Sequence, residues 1–301
     1  MYHRIVVPLD GSTFAEHALP YAALIARCTG ARVDLALVHS SYSVATMDTG
    51  IHETVERWQA EQRAREATYV HAVAARLQQE CGVSAEPVLL VGTVAQALEA
   101  HAREVAADLV VMTTHGRGGL ERAWLGSVAE AVVAHVRVPV LLVRPHDGEP
   151  QLGDVRPVFD HVAVALDGTV AGEHSVESVL ALADPTTRIT LLRVVTPPHG
   201  PTTVYLPHAA QLNRQLTAER LEEAAHYLAE VEARVRVRHE RVESVVVVDY
   251  HPASAIVRWA EEHGADGIAM TTHGRAPALR LLLGSTTSRV VRGGQVPVLV
   301  G

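Results

Sequence analysis

The sequence predicts an α/β protein built from two tandem Rossmann-like domains, each a five-stranded parallel sheet with helices on both faces. Three observations support this prediction. The 301-residue chain is long enough for two domains of about 150 residues, and 48% of its residues are hydrophobic, enough for two cores. Several motifs of the first half recur in the second half in the same order. Short apolar runs alternate with helix-period segments in both halves, as in parallel sheets covered on both faces.

The internal repeat is strongest in the middle of each half. The hexapeptide Met-Thr-Thr-His-Gly-Arg at 112–117 recurs at 270–275, 158 residues later, and a Gly-Ser pair and a Val-Pro-Val run keep the same spacing. A period of one domain length indicates tandem duplication rather than a solenoid. We therefore expect a first domain at 1–146, a linker rich in proline and glycine at 147–157, and a second domain at 158–301.

The hydrophobic pattern predicts the elements of each half in order. In the first half it predicts helices at 15–28, 53–81, 94–105 and 127–136, and strands at 5–9, 33–39, 87–91, 109–112 and 138–144. In the second half it predicts strands at 161–166, 189–195, 243–248, 267–270 and 296–300, with helices between them. Such sheets bind ligands at the carboxyl ends of the strands, where the strand order reverses. The loops after the first and fourth strands of each half are therefore the candidate site.

Composition argues against several classes of function. The chain has no apolar run of 18 residues and its amino terminus does not resemble a signal peptide, so we expect a cytoplasmic protein without membrane association. A net charge of −8 and 4% aromatic residues argue against nucleic-acid binding. All 26 basic residues are arginine, which excludes a P-loop lysine and lysine Schiff-base chemistry. Cys28 and Cys81 stand apart in apolar, helical stretches and the 18 histidines are scattered, so we expect buried, reduced thiols and no metal site.

The loop after the fourth strand has the residues of a phosphate site. Its pattern is Thr-x-x-Gly-x9-Gly-Ser, formed by Thr113, Gly116, Gly126 and Ser127 in the first half and by Thr271, Gly274, Gly284 and Ser285 in the second. Gly116 permits a backbone with positive φ close to a ligand, and Gly118 keeps the loop adaptable. The Gly-Ser pair opens a helix, where unpaired N–H groups and the helix dipole attract phosphate. The Ser127 hydroxyl either caps that helix or donates to a phosphate oxygen.

Other polar residues near these loops have two interpretations each. Asp10 and Asp167 directly follow the first strand of each half. Each either binds a ribose hydroxyl or adenine amine, or forms an Asp-Gly turn. Arg117 and Arg275 either pair with phosphate or lie in solvent. The repeated histidine, His115 in the first half, has no acid or nucleophile beside it, which favours a loop-ordering role over general-base catalysis.

These motifs resemble the universal stress protein family, whose ATP-binding members carry Gly-x-x-Gly-x9-Gly-[Ser/Thr] after the fourth strand and an aspartate after the first. The resemblance covers nearly the whole chain as two consecutive family domains. It implies an ATP site in each domain, with Mg²⁺ as an open question, and dimer-like packing of the two domains. The implied positions in the first half are Pro8, Leu9, Asp10, Ser40, Met112, Thr113, Gly116, Arg117, Gly118, Gly126, Ser127 and Val128. Those in the second half are Ala165, Asp167, Val194, Met270, Thr271, Gly274, Arg275, Gly284, Ser285 and Thr286.

The chain departs from the family pattern at several places. Thr113 and Thr271 replace the first motif glycine and add bulk where a nucleotide approaches. Ser40 stands where the family has an apolar residue beside the adenine. In the second half, Ala-Pro at 276–277 stiffens the loop after the fourth strand. The segment 249–252 either narrows the mouth of the second site or changes its charge. We therefore expect the two sites to differ in occupancy.

Three functions remain open from the sequence. The first is a sensor or scaffold that binds ATP or another adenine nucleotide, with occupancy biasing domain packing or a partner surface. The second is a structural member that binds no nucleotide and works through protein contacts, which the two motif threonines favour. The third is an enzyme on the same broad fold, an ATP pyrophosphatase or nucleotidyltransferase, or at most a slow ATPase, for which a metal and a positioned water suffice. Whether the whole chain pairs into a homodimer is also left open.

Overall fold

The computed structural model describes residues 1–40, 49–115, 125–146, 148–152, 158–198, 209–272 and 283–301, with the backbone alone for 49–54 and 209–210. Contacts within the chain divide it into two compact units, Met1–Arg156 and Pro157–Gly301. The linker expected at 147–157 lies partly outside the described residues, at 147 and 153–157.

The first unit contains one parallel sheet in the order β3-β2-β1-β4-β5. Its strands are β1 (Arg4–Leu9), β2 (Arg32–His39), β3 (Ala85–Val91), β4 (Leu109–Thr113) and β5 (Val140–Val143). Its helices are α1 (Thr13–Glu16), α2 (Leu19–Thr29), α3 (Thr49–Cys81), α4 (Val94–Glu104) and α5 (Ser127–His135). The strand order reverses beside β1, which pairs with β2 on one side and with β4 on the other. The carboxyl ends of β1 and β4 therefore form the switch point of this sheet.

The second unit repeats this topology with a parallel sheet in the order β8-β7-β6-β9-β10. Its strands are β6 (His161–Ala165), β7 (Arg188–Val195), β8 (Val242–Val248), β9 (Gly267–Met270) and β10 (Val298–Val300). Its helices are α6 (His174–Leu180), α7 (Ala209–Arg236), α8 (Pro252–Glu262) and α9 (Ser285–Gly293). The register also repeats, because Arg4 pairs with Arg32 in the first unit and His161 with Arg188 in the second.

These sheets confirm the predicted fold class, and the predicted strands are present with small differences at their ends. The single helix expected at 15–28 is wrong, because the chain forms α1 and α2 there instead. Pro20 lies in the first turn of α2 and lacks the N–H that a continuous helix would direct to the carbonyl of Glu16. The Ser12 hydroxyl caps α1 separately by accepting from the N–H of Ala15 at 3.2 Å.

The fourth and fifth strands of each unit are buried along their whole length, which is why they appear in the sequence as continuous apolar runs. Every residue of β4, β5, β9 and β10 is buried. Burying one such Val, Leu or Ile side chain contributes roughly 1.5–3 kcal/mol relative to leaving it exposed. No helix in the described part of the chain is both long and apolar enough to cross a membrane.

An aspartate closes the amino end of the first strand in each unit. Asp108 Oδ1 accepts from the backbone N–H of Arg4 at 3.0 Å, and Asp266 Oδ1 accepts from the backbone N–H of His161 at 2.9 Å. Both aspartates lie just before the fourth strand of their unit. Each one therefore holds the beginnings of two neighbouring strands together at the edge opposite the candidate site.

At the amino-terminal end of the strands in the first sheet, a buried carboxylate accepts hydrogen bonds from two neighbouring side chains. Asp34 on β2 is fully buried. Its Oδ1 accepts from Arg4 Nε at 3.1 Å, and its Oδ2 accepts from Arg4 Nη2 at 3.1 Å and from His101 Nε2 on α4 at 2.8 Å. Because a buried charge is expensive unless it is paired and hydrogen-bonded, Arg4 and His101 are what allow this carboxylate inside the unit.

At the position that corresponds to Asp34, the second unit has a chain of hydrogen bonds without a buried carboxylate. Arg188 Nη2 donates to His161 Nδ1 at 2.7 Å, and His161 Nε2 donates to Thr190 Oγ1 at 2.9 Å. Thr190 Oγ1 then donates to Glu243 Oε1 at 2.9 Å. Thr190 occupies the register position of Asp34. Burial, together with the charge of Arg188, lowers the pKa of His161.

Replacing the buried carboxylate tests how far the first unit depends on it. Asp34→Asn leaves Arg4 and His101 without their charged partner and is expected to lower the free energy of unfolding by about 3 kcal/mol. Denaturant unfolding followed by circular dichroism measures the change. Glu104→Gln, at an exposed carboxylate on α4, is the control and should change stability by less than about 0.5 kcal/mol. Equal unfolding midpoints for the two variants would contradict this account.

The lowered pKa of His161 predicts a pH dependence of stability in the second unit. An unfolded histidine takes up a proton near pH 6.5, whereas the folded His161 resists it until lower pH. Stability is therefore present above about pH 6.5 and is lost as the pH falls from there through the folded pKa. NMR titration of the ring should give a midpoint below 6.5, and His161→Gln should reduce the loss of stability in acid. A ring that titrates at or above 6.5 would exclude this explanation.

Candidate functional site

A cleft of about 730 Å³ lies at the carboxyl ends of β1, β2 and β4 in the first unit. This volume is within the range of small-molecule sites, roughly 300–1,000 Å³. Every described residue that the sequence predicts for the first site lines it: Pro8, Leu9, Asp10, Ser40, Met112, Thr113, Gly126, Ser127 and Val128.

The second unit has a corresponding cleft of about 760 Å³. The described residues predicted for the second site all line it: Ala165, Asp167, Val194, Met270, Thr271, Gly284, Ser285 and Thr286. The volumes of the two clefts are nearly equal. Pro252 lines the cleft, whereas the Asp249 carboxylate accepts from Arg258 Nη2 on α8 at 2.7 Å.

The remaining predicted positions lie outside the described residues. They are Gly116, Arg117 and Gly118 in the first half and Gly274 and Arg275 in the second. The Ala-Pro pair at 276–277 is also among the residues outside the description. Their roles at the site remain predictions from the sequence.

The aspartate after the first strand forms a turn in both units and also lines the cleft. Asp10 Oδ1 accepts from the backbone N–H of Ser12 at 2.9 Å and from its hydroxyl at 2.6 Å. Asp167 Oδ1 accepts from the N–H of Thr169 at 3.0 Å and from its hydroxyl at 2.7 Å. Gly11, between Asp10 and Ser12, has φ of 81°, which favours glycine. The Asp-Gly turn is therefore real, and it fixes the carboxylate beside the cleft.

The Gly-Ser pair places the beginning of a helix against the end of the fourth strand. Gly126 is the N-cap residue of α5, and its N–H donates to the carbonyl of Thr114 at 2.7 Å. Gly284 makes the same bond to Thr272 at 3.1 Å before α9. A Cβ at Gly126 would lie 3.1 Å from the Thr114 oxygen, and one at Gly284 would lie 2.4 Å from the Thr272 oxygen. The packing of strand against helix therefore requires glycine at Gly284 and leaves only a tight contact for a methyl group at Gly126.

The first turns of α5 and α9 border the clefts, and the first amides of a helix have no partner within that helix. Ser127 is the first residue of α5 and does not act as its cap; no side chain in the described part of the chain caps α5 or α9. Ser127 and Ser285 are exposed and line their clefts. The amino end of a helix carries a partial positive charge, so each cleft has one wall suited to an anion.

The motif threonine of the first half lines the cleft, and its hydroxyl is bonded within its own segment. Thr113 is buried, and its hydroxyl donates to the carbonyl of His115 at 2.8 Å. His115 Nδ1 lies 3.0 Å from Thr114 Oγ1, within hydrogen-bond distance. Burial, with the nearby charge of Arg144, lowers the pKa of His115. These contacts join His115 to the two threonines at the end of β4, and its loop-ordering role stays a prediction.

The sequence missed the contribution of α3 and the end of β2 to the first cleft. Trp58, Gln62 and Glu66 of α3 line it, as does His39 at the end of β2. Glu66 Oε2 accepts from His39 Nδ1 at 2.7 Å. No local motif marks these side chains, because α3 reaches the cleft only through its packing on the sheet.

The second cleft has arginines where the first has none among its described lining residues. Arg193 and Arg220 line it, together with Glu223. Arg220 Nη1 donates to the carbonyl of Thr196 at 2.9 Å. The guanidinium of Arg193 lies 5.0 Å from the centre of the Tyr227 ring and packs against the loop after β6. The two clefts therefore share a shape and differ in charge.

The strand register corrects one correspondence between the halves. Val33 pairs with Ala85 in the first sheet, and Ile189 pairs with Val242 in the second. Counting along β2 and β7 from these pairs makes Val38 the counterpart of Val194. Ser40, taken from the sequence as the departure from the apolar adenine position, lies two residues further and lines the cleft as a separate position.

The long helix over each cleft is fastened to the helix after the first strand. In the first unit, Glu16 accepts from the Tyr69 hydroxyl at 2.8 Å and forms an ion pair with Arg76, both on α3. In the second unit, Arg234 on α7 pairs with Glu173 at 2.5 Å. Glu16 is buried, so its two partners compensate the removal of a charge from water.

Comparison with known proteins places both halves in one family model. The model of the universal stress protein family matches residues 1–144 and 159–300. A universal stress protein of Mycobacterium tuberculosis is 28% identical over 306 aligned positions, which cover 99% of this chain and 96% of that protein. A universal stress protein of Methanocaldococcus jannaschii is 34% identical over 145 residues, covering 48% of this chain and 83% of that protein.

A solved structure has the same fold over nearly the whole chain. The crystal structure of a universal stress protein from Archaeoglobus fulgidus matches with a TM-score of 0.61 at 19% identity. The match covers 99% of this chain and 95% of that chain.

The two N-cap glycines predict different sensitivities to the same substitution. Gly284→Ala forces a methyl group against the Thr272 oxygen and should destabilise the second unit by about 3 kcal/mol, whereas Gly126→Ala should cost about 1 kcal/mol. Denaturant unfolding of each variant against the wild type measures both values.

Gly293→Ala supplies the matched control in the same helix as Gly284. The nearest atom to its Cβ would be 3.8 Å away, on Val257, so this variant should be neutral or slightly stabilising. A larger loss of stability for Gly126→Ala than for Gly284→Ala would contradict the packing argument.

Proposed function

This chain belongs to the universal stress protein family, and we propose that it binds an adenine nucleotide, ATP in the first instance, in each of its two clefts. The observation that carries the proposal is the uncapped helix N-terminus at the wall of each cleft, held there by the N-cap glycine. That wall suits a phosphate tail without any lysine, since backbone N–H groups and the helix dipole supply the positive partner.

The opposite side of the first cleft suits a nucleobase. Apolar side chains predominate there, including Pro8, Leu9, Leu37, Val38 and Met112. An apolar slot with a few polar groups is the usual composition of a small-molecule site. Phosphate contacts alone, at roughly 0.5–1.5 kcal/mol per hydrogen bond, fall short of the 8 kcal/mol or so of micromolar binding. The base must therefore contribute, and this slot offers it the contact area.

We assign the protein a role as a nucleotide-dependent sensor or scaffold in a stress response. Occupancy of the clefts would bias the long helices that line them, and through these the surface that a partner meets. The open first cleft speaks against a structural member whose motif threonine blocks the nucleotide, because the Thr113 hydroxyl is bonded within the loop. Slow hydrolysis of bound ATP is compatible with this role and is an outcome of the test below.

Two measurements test the binding itself. Mass spectrometry of small molecules released from freshly purified protein identifies a nucleotide that co-purifies, and calorimetry with ATP, with and without Mg²⁺, gives affinity and stoichiometry. We expect two ATP per chain with dissociation constants in the micromolar range, about 8 kcal/mol each. Absence of heat and of saturation up to millimolar ATP would favour the non-nucleotide alternative.

Single substitutions at the helix starts should remove one site each. Ser127→Asp and Ser285→Asp place a carboxylate where the phosphate tail is proposed to lie, and we expect each to reduce the stoichiometry from two to one. An acidic residue at a helix start stabilises the helix by roughly 0.3–1 kcal/mol, so both variants should fold.

Gln79→Glu is the control for charge. It adds the same negative charge at an exposed position near the far end of α3 and should bind two ATP like the wild type. Retention of both sites in Ser127→Asp would place the phosphate elsewhere and exclude the proposed binding mode in the first unit.

A further inference from the structure

A buried histidine at the first cleft is held by a carboxylate. His39 ends β2, lines the cleft, and is only 3% exposed. Glu66 Oε2 on α3 accepts from its Nδ1 at 2.7 Å. None of the described residues lies within hydrogen-bond distance of the other ring nitrogen, Nε2, which is buried. Buried polar atoms are rarely left without a partner, so this atom points to a ligand.

The Glu66 carboxylate determines which kind of partner Nε2 requires. A carboxylate can only accept a hydrogen bond, so the proton of the neutral ring lies on Nδ1. Nε2 of that tautomer carries a lone pair and accepts. In this neutral tautomer, the atom that completes the contact is an N–H or O–H donor.

The topology places His39 at the base end of the cleft. The phosphate wall follows β4, whereas His39 ends β2, and β1 lies between these two strands. Neighbouring strands are about 4.8 Å apart, so the two ends of the cleft are separated by about 10 Å. A nucleotide whose phosphates contact the start of α5 therefore directs its base toward β2 and α3.

The second unit lacks this pair entirely. The register of β7 and β8 places Val195 at the position of His39, because His39 pairs with Val91 and Val195 with Val248. Ala224 on α7 stands 158 residues after Glu66 and takes its place. Both are buried. The histidine and the carboxylate were thus replaced together by apolar residues in the other half.

We propose that His39, oriented by Glu66, accepts a hydrogen bond from the exocyclic amine of adenine in the first cleft, and that the second cleft has no such contact. This inference rests on the proposed nucleotide binding. Adenine presents an N–H donor at the six-position, whereas hypoxanthine presents a carbonyl oxygen there. The first cleft is therefore the selective site for an aminopurine, and the second accepts either base. His39 is the specificity-determining residue and Glu66 the positioning residue.

The test compares ATP with inosine triphosphate in each cleft separately. The Ser285→Asp variant retains the first cleft and the Ser127→Asp variant retains the second. In calorimetry we expect the first cleft to bind ATP at least tenfold more tightly than inosine triphosphate, because the keto oxygen would face the Nε2 lone pair. We expect the second cleft to show less than about threefold preference.

A second set of variants replaces His39 and Glu66 with the residues found at the corresponding positions of the second half. His39→Val with Glu66→Ala, made in the Ser285→Asp background, should weaken ATP binding about tenfold and leave inosine triphosphate binding nearly unchanged. A purely structural role for the pair would weaken both ligands equally, so the ratio of the two affinities decides. His39→Gln in the same background is the second variant; its amide can donate to a keto oxygen, so it should also abolish the preference for ATP.

The possible outcomes distinguish a failure of the base-reading role of His39 from a failure of the proposed nucleotide binding. Equal binding of the two nucleotides in the first cleft, or an unchanged ratio after His39→Gln, would overturn the base-reading role while leaving ATP binding intact. Loss of ATP binding in both single-cleft variants and in the wild type would overturn the proposed nucleotide binding, and this inference with it.

Discussion

The close approach of a helix start to the end of the fourth strand is the constraint on which each cleft depends. The N–H of Gly126 bonds to the carbonyl of Thr114, and Gly284 bonds to Thr272 in the same way. Both contacts use main-chain atoms and require that no side chain intervene. They hold the starts of α5 and α9 beside the cleft at the switch point of each sheet. An anion site of this kind needs no lysine, which fits a chain whose basic residues are all arginine.

Buried polar residues that contact one another in the first half are replaced together in the second half. Asp34 and His101 bond to each other in the first unit, and Thr190 and Trp259 stand at these positions in the second. At the cleft, the His39–Glu66 pair has an apolar counterpart in the other half. A buried polar group left alone costs roughly 1–3 kcal/mol, so losing one member removes the reason to keep the other. Each half carries one complete set.

The sequence predicted the parts of the molecule that depend on local pattern. Continuous apolar runs identified the parallel strands, and the repeated Gly-Ser pair located the helix starts that border the clefts. It did not predict the interruption before Pro20, because the helix period continues across it. The sequence did not predict Glu66 as a cleft residue, because only tertiary packing brings α3 to the end of β2. Only the register of the paired strands shows that Val194 corresponds to Val38. From the sequence alone, the two halves can be aligned here with a shift of two residues.

The attachment of α3 to Glu16 gives that helix the geometry of a lever. The helix has 33 residues, about 50 Å at 1.5 Å per residue, and Tyr69 and Arg76 fix its carboxyl-terminal part to α1. Its cleft-lining stretch lies just before this pivot, and its first turn lies about 30 Å beyond it. A rigid tilt of about 5° around the pivot moves that first turn by about 2.6 Å, whereas the backbone at Trp58, about 16 Å from Tyr69, moves by about 1.4 Å and that at Glu66, about 5 Å away, by about 0.4 Å. Small adjustments at the switch point are thus magnified at the far tip of the helix.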